Sequence, residues 1–425
     1  MKVGMVVERF DPLRGGLEQW TYRLALKLAE RGHEIHMVSR EFTERTRHMP
    51  MIAHHLAHVH TPLAFAAAAE AKLASLDLDV IHDMGVGWYN DIFHPHGGSW
   101  ASVAARKVLL LPRWLQAAKR GLNRVMPRYH EFRSLMQRQY ADRGQIMVAL
   151  SHCVADDFSR FHRVAPERVR IVYNGVDTER FSPARCAPQR QAMRRRLGID
   201  PQTIVLLIVA HNFQLKGLAT LLRALARLRG RRLPLRLLVV GGKRLYRWRR
   251  QAARLGVAAA VEFLGPVEDT LPYYAAADIY VHPTIYDTCS LVVLEAAACG
   301  LAIVTTRCNG AAELLHDGAD TLLIDEPGDD EALAAGVQRL LEPAARRALG
   351  RAARQTALTQ TFDRNVDNIL ALYEEVVEKR ARLAGGPLVW SARVRGSADE
   401  ASADEATAWR RAGTGQLLRN TGVLW

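Results

Sequence analysis

The sequence predicts an α/β fold of two doubly wound parallel-sheet domains facing a central cleft, and three observations predict it. Short, fully apolar runs such as Val3–Val7 and Ile204–Ala210 alternate with longer stretches of helical period. Strands with no polar face are buried on both sides, as in parallel sheets covered by helices. The pattern restarts after a basic, proline-containing stretch from Ser182 to Gly198, and 425 residues at ~150 per domain leave room for two or three cores.

Taken in order, Val3–Val7 reads as a buried strand, Leu17–Glu30 as an amphipathic helix closed by Arg31-Gly32, and Ile35–Val38 as the next strand. Val80–His82 and Ile146–Leu150 continue the series. The first domain is expected over 1–182, a linker over 183–198 and a second domain over 199–361. In the second domain the strand candidates are Ile204–Ala210, Leu235–Gly241, Val261–Leu264, Ile279–His282, Ile303–Thr305 and Thr321–Ile324. Gly217–Leu228, Arg247–Leu255, Leu291–Cys299 and Glu331–Leu341 carry the helical period between them. One helix is expected over 362–385, through Val366, Ile369, Tyr373 and Val377, crossing back to the first domain. Residues 386–425 change character, with a low-complexity Ser397–Ala406 segment, and are expected to form a disordered tail.

Composition narrows the function. Apolar residues at 49% and charged residues at 24% are those of a soluble globular protein. No apolar run reaches the ~18–20 residues of a membrane-spanning helix. The five cysteines show no metal-ligand spacing, so free thiols, a reducing compartment and a cytoplasmic location are expected. Lys plus Arg number 58 against 44 for Asp plus Glu, a formal charge of +14 that favours anionic partners.

The stretch from His282 to Glu295 carries the most chemistry. A strand ends at His282, a polar loop follows, and a helix opens near Ser290, which Ser290 or Thr288 could cap. A helix N-terminus facing a cleft offers unpaired N–H groups and a positive dipole end to a phosphate. Glu295, about one turn in, would then accept hydrogen bonds from a ribose, and Asp287 would face the group beyond the phosphates. A capped helix with a surface carboxylate at each end fits the same pattern.

This segment resembles the E-x7-E motif of the retaining glycosyltransferases of family 4, which have the GT-B fold; here it is D-x7-E, with Asp287 and Glu295. Four further motifs occur in that family's order: Arg14–Glu18 with Arg31–Glu34, Ile171–Asp177, Asn212–Gly217 and Asn309–Glu313. The resemblance covers about residues 1–382 and most resembles bacterial cell-envelope transferases of the lipopolysaccharide-core type.

The resemblance implies transfer of a sugar, with retention, from a nucleotide diphosphate sugar, first of all a UDP-sugar, to a hydroxyl of a cell-envelope glycan or glycolipid. Glycines Gly15 and Gly16 would border the acceptor and the donor phosphate. Lys216 would neutralise the diphosphate leaving group, together with the N–H groups of Thr288, Cys289, Ser290, Leu291 and Val292. Glu295 would bind the ribose, the Gly265-Pro266-Val267 turn the base, and Asp287 the sugar hydroxyls. His211 stands where the family usually has an arginine, and Asp287 is one methylene shorter than the usual glutamate. His96 would line the sugar from the first domain, with His94 as its rival. His96-Gly97-Gly98-Ser99 also matches a hydrolase oxyanion loop, but no G-x-S-x-G accompanies it. Asp77-Leu78-Asp79 precedes a strand where a metal-binding D-x-D would follow one, so no metal or other cofactor is expected.

Between Arg106 and Arg138 nine Lys or Arg residues stand with one Glu, interleaved with Trp114, Tyr129 and Phe132. That mixture suits an anionic membrane surface, where each cation contributes ~1 kcal/mol. Nucleic-acid binding is the rival reading of the same charges and a solvated helix face a third; a peripheral membrane contact over 106–138 is expected, with no nucleic acid as partner. A catalytically inactive GT-B protein that binds anionic membrane or polymer is the alternative reading.

Overall fold

The computed structural model describes residues 1–228 and 234–383. Seven parallel strands build the first sheet: β1 (Lys2–Val6), β2 (Glu34–Ser39), β3 (Ile52–His55), β4 (Val80–Asp83), β5 (Ile92–Phe93), β6 (Ile146–Ala149) and β7 (Val169–Ile171). Their spatial order is β3-β2-β1-β4-β5-β6-β7. The sequence pattern missed β3, β5 and β7, which are only two to four residues long; β3 and β7 also carry the polar His54, His55 and Arg170.

Around this sheet lie α1 (Gly16–Glu30), α2 (Pro62–Ala74), α3 (Trp100–Leu109), α4 (Arg113–Val125), α5 (Pro127–Tyr140) and α6 (His152–His162). Alternation along β1 explains the two covered faces. Val3 and Met5 pack with Trp20, Leu24 and Leu28 of α1, while Val6 packs with Phe65, Ala69 and Leu73 of α2. Each fully buried side chain of this size contributes roughly 1.5–3 kcal/mol relative to exposure.

The second sheet has six parallel strands: β8 (Ile204–Val209), β9 (Leu235–Val240), β10 (Val261–Gly265), β11 (Ile279–His282), β12 (Ala302–Thr306) and β13 (Leu322–Ile324). They run in the order β10-β9-β8-β11-β12-β13, so the chain reverses direction across the sheet between β8 and β11. The helices that follow are α7 (Pro183–Arg196), α8 (Leu218–Leu228), α9 (Tyr246–Arg254), α10 (Leu271–Ala276), α11 (Leu291–Ala298), α12 (Asp330–Arg339), α13 (Pro343–Thr359) and α14 (Phe362–Leu383). Leu206 and Ile208 of β8 face α8, and Val205 and Leu207 face the core shared with α10 and α11.

Residues 183–198, read from the sequence as a linker, are instead mostly helix α7. Pro183 opens it and the Ser182 hydroxyl accepts from the Arg185 N–H. Two of its five arginines are not solvated spacer. Arg190 and Arg194 reach Asp278 at 2.6 and 3.3 Å, and both also donate to carbonyls at the end of α10. The helix is therefore part of the second domain. The domains join instead at two crossings that lie side by side, with Val176 N–H bonded to the Gln360 carbonyl and Phe362 N–H to the Val176 carbonyl, both at 2.9 Å. From there α14 enters the first core through Phe362, Val366, Ile369 and Tyr373. The tail expected over 386–425 lies outside the described residues.

Candidate functional site

The loops that leave the carboxyl ends of β1, β5, β8 and β11 converge on one interdomain cleft, the place where doubly wound sheets bind ligands. After β8 the chain turns at Gly217, with φ +75°. A Cβ there would lie 1.8 Å from the Pro283 carbonyl oxygen, so only glycine lets this loop pack on the one after β11. That packing places Lys216 Nζ 2.6 Å from Asp287 Oδ2. The imidazole of His282, at the end of β11, lies 3.0 Å from the same oxygen. Burial opposes ionisation of Asp287, yet the Lys216 ammonium and His282 hold its pKa well below the ordinary carboxylate range. Burial holds His282 below its ordinary value despite Asp287.

Helix α11 begins just beyond. Neither hydroxyl named as its cap fills that role. Ser290 makes no side-chain cap bond, and Thr288 donates across the cleft to the His96 carbonyl at 2.6 Å. Ser290 N–H lies 3.3 Å from Asn309 Oδ1, and the Cys289 carbonyl accepts from Asn174 Nδ2 at 2.7 Å. The first turn of α11 thus points its dipole at the cleft without a side-chain cap, next to the Lys216 ammonium. Leu291 touches the opposite wall: a Cβ on Gly16 would stand 3.2 Å from Leu291 Cδ1. Gly15 caps α1 beside it in extended conformation.

Glu295, one turn along α11, accepts from the Tyr274 hydroxyl at 2.8 Å, and Val292 offers its carbonyl to the same hydroxyl at 3.2 Å. Burial pushes the Glu295 carboxyl up to about 7. Glu295 and Leu291 line a small hollow, open to solvent, with Gln19, Trp20, Arg23 and Asp177. Arg23 was missed from sequence, and Asp177 was named there only as the end of the motif Ile171–Asp177. Arg23 reads as one more polar position on an amphipathic helix, and only the fold turns it toward Glu295.

From the first domain, His96 is 8% exposed and packs, tilted, between Trp20, at 4.3 Å between ring centres, and His94, at 4.1 Å. Its Nε2 has no hydrogen-bond partner among the described residues. Burial and the neighbouring His82 push its pKa down to about 3, so the ring is neutral at physiological pH. His94 lies deeper, fully buried, 3.2 Å from His82, which in turn meets the Tyr373 hydroxyl at 2.8 Å.

Two donor-side residues remain, His211 and Val267. His211 is exposed; desolvation and Lys243 keep its pKa below the ordinary value, so it does not replace the cation of an arginine at neutral pH. Val267 packs half-buried on the second core beside Gly265, and the adjacent Glu268 pairs with Arg45 of the first domain at 3.3 Å. Asp77 and Asp79 are engaged with Lys2, as strand-edge residues. Among the described residues no group of three or more His, Cys, Asp or Glu is placed to hold a metal ion.

The basic stretch 106–138 divides in two. Arg106 and Arg138 face inward, onto Asp157 and the Trp88 ring. Tyr129 and Phe132 are not surface aromatics either; both pack on Trp100, with ring centres 4.8 and 4.7 Å away. Trp114, 78% exposed, and Leu122, 50% exposed, remain outside on α4. No helix among the described residues is long and apolar enough to cross a membrane.

Comparison with known proteins agrees with this architecture. Residues 14–180 match the family model described as Glycosyltransferase Family 4, and residues 203–343 the one described as Glycosyl transferases group 1. The D-inositol 3-phosphate glycosyltransferase of Salinispora arenicola is 30% identical over 406 residues, covering 85% of this chain and 88% of its own. Its counterpart in Acidothermus cellulolyticus is 28% identical over 436 residues, covering 90% and 92%. Among solved structures, WaaG, a glycosyltransferase involved in lipopolysaccharide biosynthesis, superposes with a TM-score of 0.73 at 24% identity, covering 89% of this chain and 99% of its own. Anabaena HepE, solved in complex with UDP and glucose, superposes at 0.66 and 20% identity, covering 87% and 98%. At those identities the two structures speak for the fold.

Proposed function

The chain belongs to glycosyltransferase family 4, has the GT-B fold and is a glycosyltransferase, and from that premise we propose its donor, its site and its acceptor class. The donor is a nucleotide diphosphate sugar, with uridine as the first base to test, and the sugar is transferred with retention. The diphosphate lies between the Lys216 ammonium and the first turn of α11, with Gly16 opposite. Glu295 accepts from the ribose, the turn around Val267 flanks the base, and Asp287 and His96 face the sugar from the two sides. As the bond to the diphosphate breaks, charge develops on the leaving oxygen, where Lys216 and the α11 dipole are already oriented. Lys216 then exchanges its partner Asp287 for phosphate and frees that carboxylate for sugar hydroxyls. The site residues supply all of these contacts themselves, so the proposal includes no metal or other cofactor. One observation carries the reading: Lys216, Asp287 and the uncapped start of α11 meet at one point, and Thr288 ties that point to the His96 loop.

The acceptor proposed is a hydroxyl of a cell-envelope glycan or glycolipid at an anionic membrane surface. The exposed Trp114 and Leu122 on the basic α4 support it. The names of the full-length relatives support a second acceptor, a phosphorylated cyclitol. The test is nucleotide release from uridine, guanosine and adenosine diphosphate sugars with each acceptor class, with the product anomer read by NMR. Release from one donor with a retained anomer is expected. No binding or release from any of the three would overturn the reading.

A further inference from the structure

The loop that carries Asp287 is seated in the other domain. Tyr286, the residue before Asp287, is only 3% exposed. Its ring lies under the Arg106 guanidinium of α3, whose central carbon is 4.1 Å from the ring centre. Arg106 is fixed in turn by Asp157 of α6, at 2.9 and 3.1 Å, and Ser102 donates to the same carboxylate at 2.6 Å. With its N–H groups satisfied at the edge, the guanidinium keeps its flat face free for the ring. Gly98, with φ +70°, closes the socket, since a Cβ there would stand 2.2 Å from the Tyr286 hydroxyl oxygen. All of these wall residues belong to the first domain, and Tyr286 to the second.

The backbone on either side of Tyr286 belongs to the site. Its carbonyl accepts from Lys216 Nζ at 3.3 Å, and Thr288, two residues on, holds the His96 carbonyl. We infer that Tyr286 is a positioning residue: an aromatic peg whose seating among Gly98, Ser102, Arg106 and Asp157 sets the register between Asp287 on one wall of the cleft and His96 on the other. The inference rests on the roles proposed for Asp287 and His96. A peg of this kind leaves donor binding to the second domain and acts on the transfer step, where a displacement of about 1 Å can cost about 10²-fold.

The experiment compares Tyr286→Phe, Tyr286→Leu, Arg106→Lys and the Tyr286→Leu/Arg106→Lys double variant. Tyr286→Phe keeps the ring and should stay within about threefold of wild type. Tyr286→Leu should lower kcat by about 10–100-fold with donor KM within about threefold, and adding Arg106→Lys should lower it no further. Should the leucine variant not fold, Arg106→Lys, which keeps the Asp157 pair but loses the flat cation, carries the same prediction for kcat. Small-angle scattering of the unliganded chains should show a larger radius of gyration for Tyr286→Leu. An unchanged kcat, a donor KM that rises as steeply as kcat falls, additive losses, or identical scattering would each overturn the peg. A wild-type chain that binds no nucleotide sugar would defeat the donor reading instead, and the scattering comparison would still decide the seating.

Discussion

Asp287 and Glu295 behave differently because burial treats an ion with a partner and one without it differently. Asp287 is held ionised by Lys216 at 2.6 Å. Replacing Lys216 with methionine should lower kcat by about 10²–10³, the size of losing one preorganised charge at a developing anion, measured as nucleotide release at saturating donor. Glu295 has no cation in direct contact, and burial pushes it up to about 7 from 4.5. A carboxyl raised on folding contributes stability that is fully present below pH 4.5 and lost as pH rises through about 7. Wild type should therefore lose ~3 kcal/mol relative to Glu295→Gln between pH 4.5 and 8, read from denaturant midpoints at each pH. Ribose hydroxyls donate best to the ionised carboxylate, so nucleotide affinity should rise through the same interval in wild type and stay flat in Glu295→Gln. Lys216, Asp287 and Glu295 were legible as candidates because each follows a strand end at a telling spacing. Arg23 was not, since the groups it faces, Asp177 and Glu295, lie far off in sequence and nothing local marks it.

At the scale of elements, proline and a run of arginines made α7 look like a linker. The tertiary structure overrides that impression by giving Arg190 and Arg194 a common partner in Asp278, which also accepts the Val205 N–H. Asp278→Ala should destabilise the second domain by ~3–5 kcal/mol, because Arg194 is left buried without its counter-ion, and urea unfolding would measure it. Helix α4 makes the opposite case, since its apolar residues Trp114 and Leu122 stay outside. Sedimentation with anionic vesicles should fall as salt rises, and Trp114→Ala/Leu122→Ala should weaken it while turnover of a soluble acceptor is kept. Sedimentation that ignores both salt and those two residues would remove the membrane from the account. Strands with continuous apolar runs, such as β8, could be read directly. Strands β3, β5 and β7 could not, because two to four residues are too short to carry a period, and β3 and β7 add imidazoles and an arginine.

Over the whole molecule, the two-domain architecture was legible because the strand–helix alternation starts twice. What no local pattern contains is how the halves meet. Glu313 of the second domain accepts the His152 and Cys153 N–H groups of α6 at 2.8 and 3.0 Å, Asn174 Nδ2 donates to the Cys289 carbonyl at 2.7 Å, and Arg45 pairs with Glu268. These contacts describe two domains drawn together over the cleft. A donor bound as proposed would lie between the two walls that these contacts hold together. The central claim is that this cleft seats a diphosphate between Lys216 and the start of α11. Calorimetric titration of wild type and Lys216→Met with a nucleoside and its diphosphate tests it most directly. The account predicts that wild type favours the diphosphate by at least about 100-fold (~2.7 kcal/mol) and that Lys216→Met loses most of that preference while still binding the nucleoside. Equal affinity of wild type for the two ligands, or a preference that survives the loss of Lys216, would contradict it.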